Sequence, residues 1–113
     1  MEAQEALREL EGVFKRLRKA EHKGVEVFVE RGASKVSLET ARSTAMALAK
    51  GTVQERDASV LKATTAERER FEEAEAKSEA FKWYMRALQA EADSLRSIVS
   101  YDKRSGETDG TRP

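Results

Sequence analysis

Residues 71–99 read FEEAEAKSEAFKWYMRALQAEADSLRSIV, and one face of this stretch decides the fold. Phe71, Ala74, Ser78, Phe81, Met85, Leu88, Ala92, Leu95 and Val99 follow one another in steps of 3-4-3-4-3-4-3-4, the a/d seam of a heptad helix. Tyr84, at a g position, widens the seam together with Ile98, whereas Trp83 falls at f and faces away. Such a seam must lie against another helix, so the chain reads as a packing or binding partner rather than a lone catalyst.

Working outward, residues 2–22 form a first helix in which Leu7, Leu10, Phe14 and Leu17 step 3-4-3 and Val13 widens the stripe. Gly24 reads as its stop. Residues 25–38 admit two readings. Val25, Val27 and Val29 alternate with Glu26, Phe28 and Glu30, which permits a short β-hairpin turning at Arg31-Gly32-Ala33-Ser34. Val25, Phe28, Val29, Gly32 and Val36 also stand at helical spacing, and both neighbouring segments are helical, which favours a helical or irregular connection. From Ser34 to Lys50 the pattern is helical, with Ala41, Thr44, Ala45 and Leu48 on one face.

Gly51 suits the left-handed position that ends a helix, and Thr52 with Glu55 three residues on is a capping box. Gly51-Thr52-Val53-Gln54-Glu55-Arg56 is therefore one helix's stop fused to the next one's start. The helix begun there reaches about Ala63, where Thr64-Thr65 is a weak break, and the last helix runs from about 65 to 101. Its acidic residues come first and its basic residues last, which complements the helix dipole. Residues 102–113 have no apolar side chain and are expected to be a disordered C-terminal tail.

The expected architecture is all-α: a single helical domain over residues 1–101, built as a helical hairpin or small bundle with one long C-terminal heptad helix. Of its apolar residues 17 are alanines, so a monomeric core would be thin and an oligomeric coiled coil is expected. Phe14 and the leucines of the first helix cover only about half of the seam. The remainder, near Trp83 and beyond, is where a second subunit or partner is expected.

Composition removes several functions. Without cysteine there is no disulfide, thiol catalysis or cysteine metal site, and His22 is the only histidine. Glutamate pairs such as Glu72–Glu73 and Glu75–Glu79 belong to an exposed face, where nothing shelters a general acid. No phosphate loop accompanies Gly51. The expectation is a protein with no catalytic residues, metal or cofactor, without a leader or an apolar span, and hence cytoplasmic.

The 21 basic and 21 acidic residues cancel, so any attraction to nucleic acid must be local. Lys15, Arg16, Arg18, Lys19 and Lys23 place five positive charges in nine residues, offset only by Glu21. They are candidates for phosphate contact, the alternative being a solvated face paired with glutamates of the long helix. Lys82, Arg86 and Trp83 are secondary candidates. Trp83 either packs on a neighbouring helix or serves as a partner hot spot or base-stacking platform.

The alanine-rich helix, the Gly51-Thr52-Val53-Gln54-Glu55-Arg56-Asp57-Ala58 corner and the long helix closing in Leu88-Gln89-Ala90-Glu91-Ala92-Asp93-Ser94-Leu95-Arg96-Ser97-Ile98 resemble a group of small helical bacteriophage proteins of the replication and recombination gene region. The likeness spans roughly residues 33–103. More distantly, the layout is similar to the UvsY-type recombination mediators. That resemblance implies a homo-oligomer in the bacterial host cytoplasm that binds single-stranded DNA and a recombinase or single-strand-binding protein. It carries no DNA-contacting motif onto particular residues, and the basic cluster at 15–23 lies outside it. A coiled-coil structural or regulatory protein that binds another protein, such as a host factor, is the alternative.

Overall fold

The computed structural model describes the backbone of residues 1–111 and the side chains of residues 1–101. The expected disordered tail, residues 102–113, lies outside the residues described in full. Three helices make up the described chain: α1 (Ala3–Leu48), α2 (Val53–Ala63) and α3 (Thr65–Thr111). The fold is all-α, and no strand occurs among the described residues, so the hairpin reading of 25–38 does not apply. The chain divides into two compact units, one of residues 1–23 and 82–113, the other of residues 24–81.

Along α1 the seam positions Ala3, Ala6, Leu10, Val13, Leu17, Ala20, Gly24, Val27, Arg31, Ser34, Leu38, Ala41 and Ala45 are all buried or half-buried and follow a 3-4 alternation, with Gly12 and Phe14 half-buried beside them. The first-helix stripe is thus re-registered. Leu10 and Leu17 belong to the seam, but Leu7 is exposed and Phe14 stands on the flank, because the residues just before them, Ala6 and Val13, occupy the seam positions. Leu48 is likewise exposed.

Gly24 is not a helix stop. A Cβ built on it would lie 2.8 Å from Cε1 and 3.0 Å from Cζ of Phe81, so the missing side chain is what admits the aromatic ring. The helix continues through the glycine because its hydrogen-bond ladder is intact and the ring fills the space on its seam side.

In the unit of residues 24–81, the middle and end of α1 lie antiparallel to the first part of α3. Phe28 meets Phe81 edge-on at 6.0 Å between centroids, Arg31 lies over Phe71 at 5.9 Å and approaches Glu75 at 3.8 Å, and Lys77 reaches Glu30 at 3.8 Å. The seam here is made of small side chains: Ser34 and Ala74 are buried, and Ser78 is wholly buried with its Oγ unpartnered. At the far end Gly51 adopts φ +105°, a conformation that glycine reaches without strain. Thr52 then caps α2 by accepting from the Glu55 N–H at 3.2 Å, and Arg56 Nε donates to the Gly51 carbonyl at 2.8 Å. The chain breaks again at Thr64. Its hydroxyl donates to the Val60 carbonyl, the Thr65 hydroxyl is within reach of those of Leu61 and Lys62, and Arg68 Nη2 donates to Leu61 at 2.8 Å, so the carbonyls of Val60, Leu61 and Lys62 near the end of α2 have side-chain partners.

In the unit of residues 1–23 and 82–113, the start of α1 packs antiparallel on α3. Ala6, Leu10, Val13 and Ala20 of α1 and Leu88, Ala92 and Leu95 of α3 are its buried core. Arg16 and Glu91 form an ion pair at 3.2 Å, and Arg96 lies over the Phe14 ring at 5.1 Å.

The seam of residues 71–99 is therefore covered by α1 in both units. This corrects the expectation that half of it is left for a second subunit. Leu10, Val13, Leu17 and Ala20 cover it from residue 82 onward, and Gly24, Val27, Arg31 and Ser34, which lack the look of core residues, cover it over 71–81. Tyr84, expected to widen the seam, is half exposed at its edge.

Two tests follow from this packing. Gly12, where a Cβ would meet nothing within 4 Å, should tolerate alanine with a gain of up to about 1 kcal/mol, whereas Gly24→Ala should lose about 1–3 kcal/mol as the Phe81 ring is displaced. Urea unfolding followed by circular dichroism measures both, and equal shifts would contradict the Gly24–Phe81 packing. Ser78→Ala should hold or raise the melting temperature, because it removes a buried hydroxyl without a partner, while Ser78→Leu should cost about 1–3 kcal/mol by overfilling the seam.

Candidate nucleic-acid interface

All eight residues singled out for nucleic-acid contact fall in the unit of residues 1–23 and 82–113, and all eight are exposed. α1 turns its seam positions Leu10, Val13, Leu17 and Ala20 toward α3, which leaves Lys15, Arg18 and Lys19 on the opposite side, away from the seam. Their spacing of three and one places them on adjacent turns of a single helix face. Among the described residues these three and Lys23 form no ion pair. Arg16 differs. It sits on the flank and pairs with Glu91, as the solvated-face alternative foresaw for the whole cluster.

Lys82, Trp83 and Arg86 belong to α3. Trp83 and Arg86 lie on its outer face, so the structure does not gather the eight residues into one patch. It makes a cationic stripe on α1 and an aromatic–cation pair on the far side of α3. Trp83 does not pack on a neighbouring helix; it is 65% exposed, and Arg86 lies over its ring at 5.1 Å. A cation–π contact at such exposure contributes about 0.5–1 kcal/mol, which orders the indole while leaving its second face open.

The flank contacts are not among the expectations: Glu91 and Arg96 tie Arg16 and Phe14 to α3. Their heptad positions were the available signal: Arg16 and Glu91 both occupy g, Phe14 and Arg96 both occupy e, and antiparallel helices bring like flanks together. Arg96 also lines a shallow cleft with Leu17, Glu21, Met85, Gln89 and Asp93. That cleft holds charges of both signs and has no basis for preferring an anion.

Among the described residues, no group of three or more acidic or histidine side chains is placed to hold a metal ion, and no helix is long and apolar enough to cross a membrane. The chain matches no protein family, no curated protein and no solved structure.

Because the stripe does not contribute to packing, Lys15→Gln, Arg18→Gln and Lys19→Gln should each leave stability within about 0.5 kcal/mol of the parent. Arg16→Ala should cost no more than about 1 kcal/mol, the upper range for an exposed ion pair. The single tryptophan should emit as a solvated indole, and a blue-shifted emission would show that Trp83 is covered.

Proposed function

We propose that this chain is a non-catalytic accessory protein of DNA recombination or replication that holds single-stranded DNA on a rigid helical surface. The observation that carries the reading is the stripe of Lys15, Arg18 and Lys19 with Lys23 beside it. These are exposed cations on one helix, free of carboxylate partners among the described residues. A helix rises 1.5 Å per residue, so cations three or four residues apart stand about 5–6 Å from one another, a spacing that a flexible single strand can follow with successive phosphates.

The stripe supplies charge but no base-reading chemistry, so binding is expected to be indifferent to sequence. Trp83, with one ring face against Arg86, offers the other to a stacked base. The resemblance of residues 33–103 to the phage replication and recombination proteins supports this setting, with a recombinase or single-strand-binding protein as the protein partner. A short stripe gives modest affinity, and a tight complex would draw on several copies along one strand.

Fluorescence anisotropy with a labelled single-stranded oligonucleotide tests the reading. Affinity should fall as salt rises, with a log–log slope on the order of −2 to −3 for three or four neutralised phosphates. The triple substitution Lys15→Gln, Arg18→Gln, Lys19→Gln should abolish most of that slope with helicity unchanged. Trp83→Ala should weaken binding by about 1–3 kcal/mol if a base stacks there. Absence of binding at low salt, or a slope unaltered by the triple substitution, would overturn the proposal and leave a coiled-coil protein whose ligand is another protein.

A further inference from the structure

The stripe of Lys15, Arg18 and Lys19 continues one helical turn further, to His22. Because α1 runs unbroken through Gly24, His22 stands in mid-helix rather than at a helix end, and it is exposed. It lies three residues beyond Lys19, four beyond Arg18 and seven beyond Lys15, so all four share the face turned away from Leu17 and Ala20. The rise from Arg18 and Lys19 to His22 is about 4.5–6 Å, close to one step of the stripe itself.

The charged groups around His22 are those of its own helix. Arg18, Lys19 and Lys23 stand within about one turn, and Glu21 and Glu26 are the nearest carboxylates along the chain. Within this unit α3 packs on the opposite side of α1. Its Asp93 and Arg96 line the cleft beside Glu21, its Glu91 pairs with Arg16, and its Arg86 lies over Trp83 on the outer face. Lys82 and Tyr84 are also on the α3 side of the seam. Among the described residues His22 forms no ion pair.

We infer that His22 makes the stripe's affinity for a phosphate backbone depend on pH, an inference that rests on the reading of the stripe as the contact with single-stranded DNA. Histidine is the side chain whose charge ordinarily changes between about pH 8 and pH 5, and the chain has no other. Lysine and arginine keep their charge throughout that range. The stripe therefore gains a further cation as the pH falls, in line with the others and within reach of the next phosphate of a strand laid along them. A phosphate favours the protonated ring, so binding takes up a proton and affinity rises toward acid. At alkaline pH the stripe binds through its lysines and arginines alone.

Anisotropy titrations of the full chain test this with an oligothymidylate, whose bases do not titrate in this range, carrying a dye that does not titrate there either. From about pH 8 to about pH 5.5, affinity at low salt should rise roughly three- to tenfold. The log–log salt slope should steepen by about 0.7, the increment for one more neutralised phosphate on a single strand. His22→Gln should bind as the parent does at the higher pH and gain nothing at the lower one. His22→Lys should hold the stronger binding at both. His22 is exposed, so neither substitution should change the helicity. Equal parental affinity at the two pH values, with Lys15→Gln, Arg18→Gln, Lys19→Gln still weakening it, would overturn the role of His22 and leave the stripe standing. A gain that survives in His22→Gln would assign the response to other groups and overturn it as well. Absence of binding at both pH values would overturn the stripe, and the inference with it.

Discussion

The contact on which the helical arrangement of residues 24–81 depends is the Phe81 ring seated against the bare backbone of Gly24. Because the ring occupies the place of a side chain, α1 and α3 approach more closely there than two full-sized residues would allow. The glycine that would otherwise weaken or end a helix is held inside one. With α1 unbroken, Val27, Arg31, Ser34 and Leu38 follow at seam spacing, and the first part of α3 gains its cover. The same continuity fixes which residues face outward, including the valines and Gly32.

A seam built from alanine, serine and glycine buries little apolar area per residue, so its stabilisation comes from close backbone approach and many dispersion contacts rather than from large side chains. The charged flanks add little energy: their pairs are about half exposed, and two of them span 3.8 Å. What they supply is orientation. Arg16 with Glu91 and Glu30 with Lys77 join g to g, an arrangement that antiparallel helices satisfy and parallel ones do not. Arg31 brings a charge into the seam, where Phe71 lies under its guanidinium and Glu75 stands beside it.

Once seam and flanks are assigned, the outer faces remain for interaction, and they differ in chemistry along α1. Lys15, Arg18 and Lys19 present charge without partners among the described residues, whereas Val25, Val29 and Val36 present apolar surface around a glycine that the fold does not require. The first is the surface proposed above to meet single-stranded DNA. Neither face contributes to the packing of its own unit.

The sequence by itself determined the helical class, the heptad register of α3 and the corner at Gly51-Thr52, because each rests on local physics: a 3.5-residue period, a left-handed glycine and a threonine that caps. It also marked the basic residues as exposed, since charges that close together cannot all be buried. It did not reveal where the partner of the seam lay. The covering positions of α1 are filled by Gly24, Val27, Arg31 and Ser34, residues that elsewhere signal turns, strands or surface. Their role exists only once α3 lies opposite, because a gap, a small hydroxyl or a stacked guanidinium becomes a packing element when a second helix supplies the complementary shape. Tertiary structure therefore decided that the seam closes on its own chain, that the two helices run antiparallel, and that the basic stripe and Trp83 face different ways.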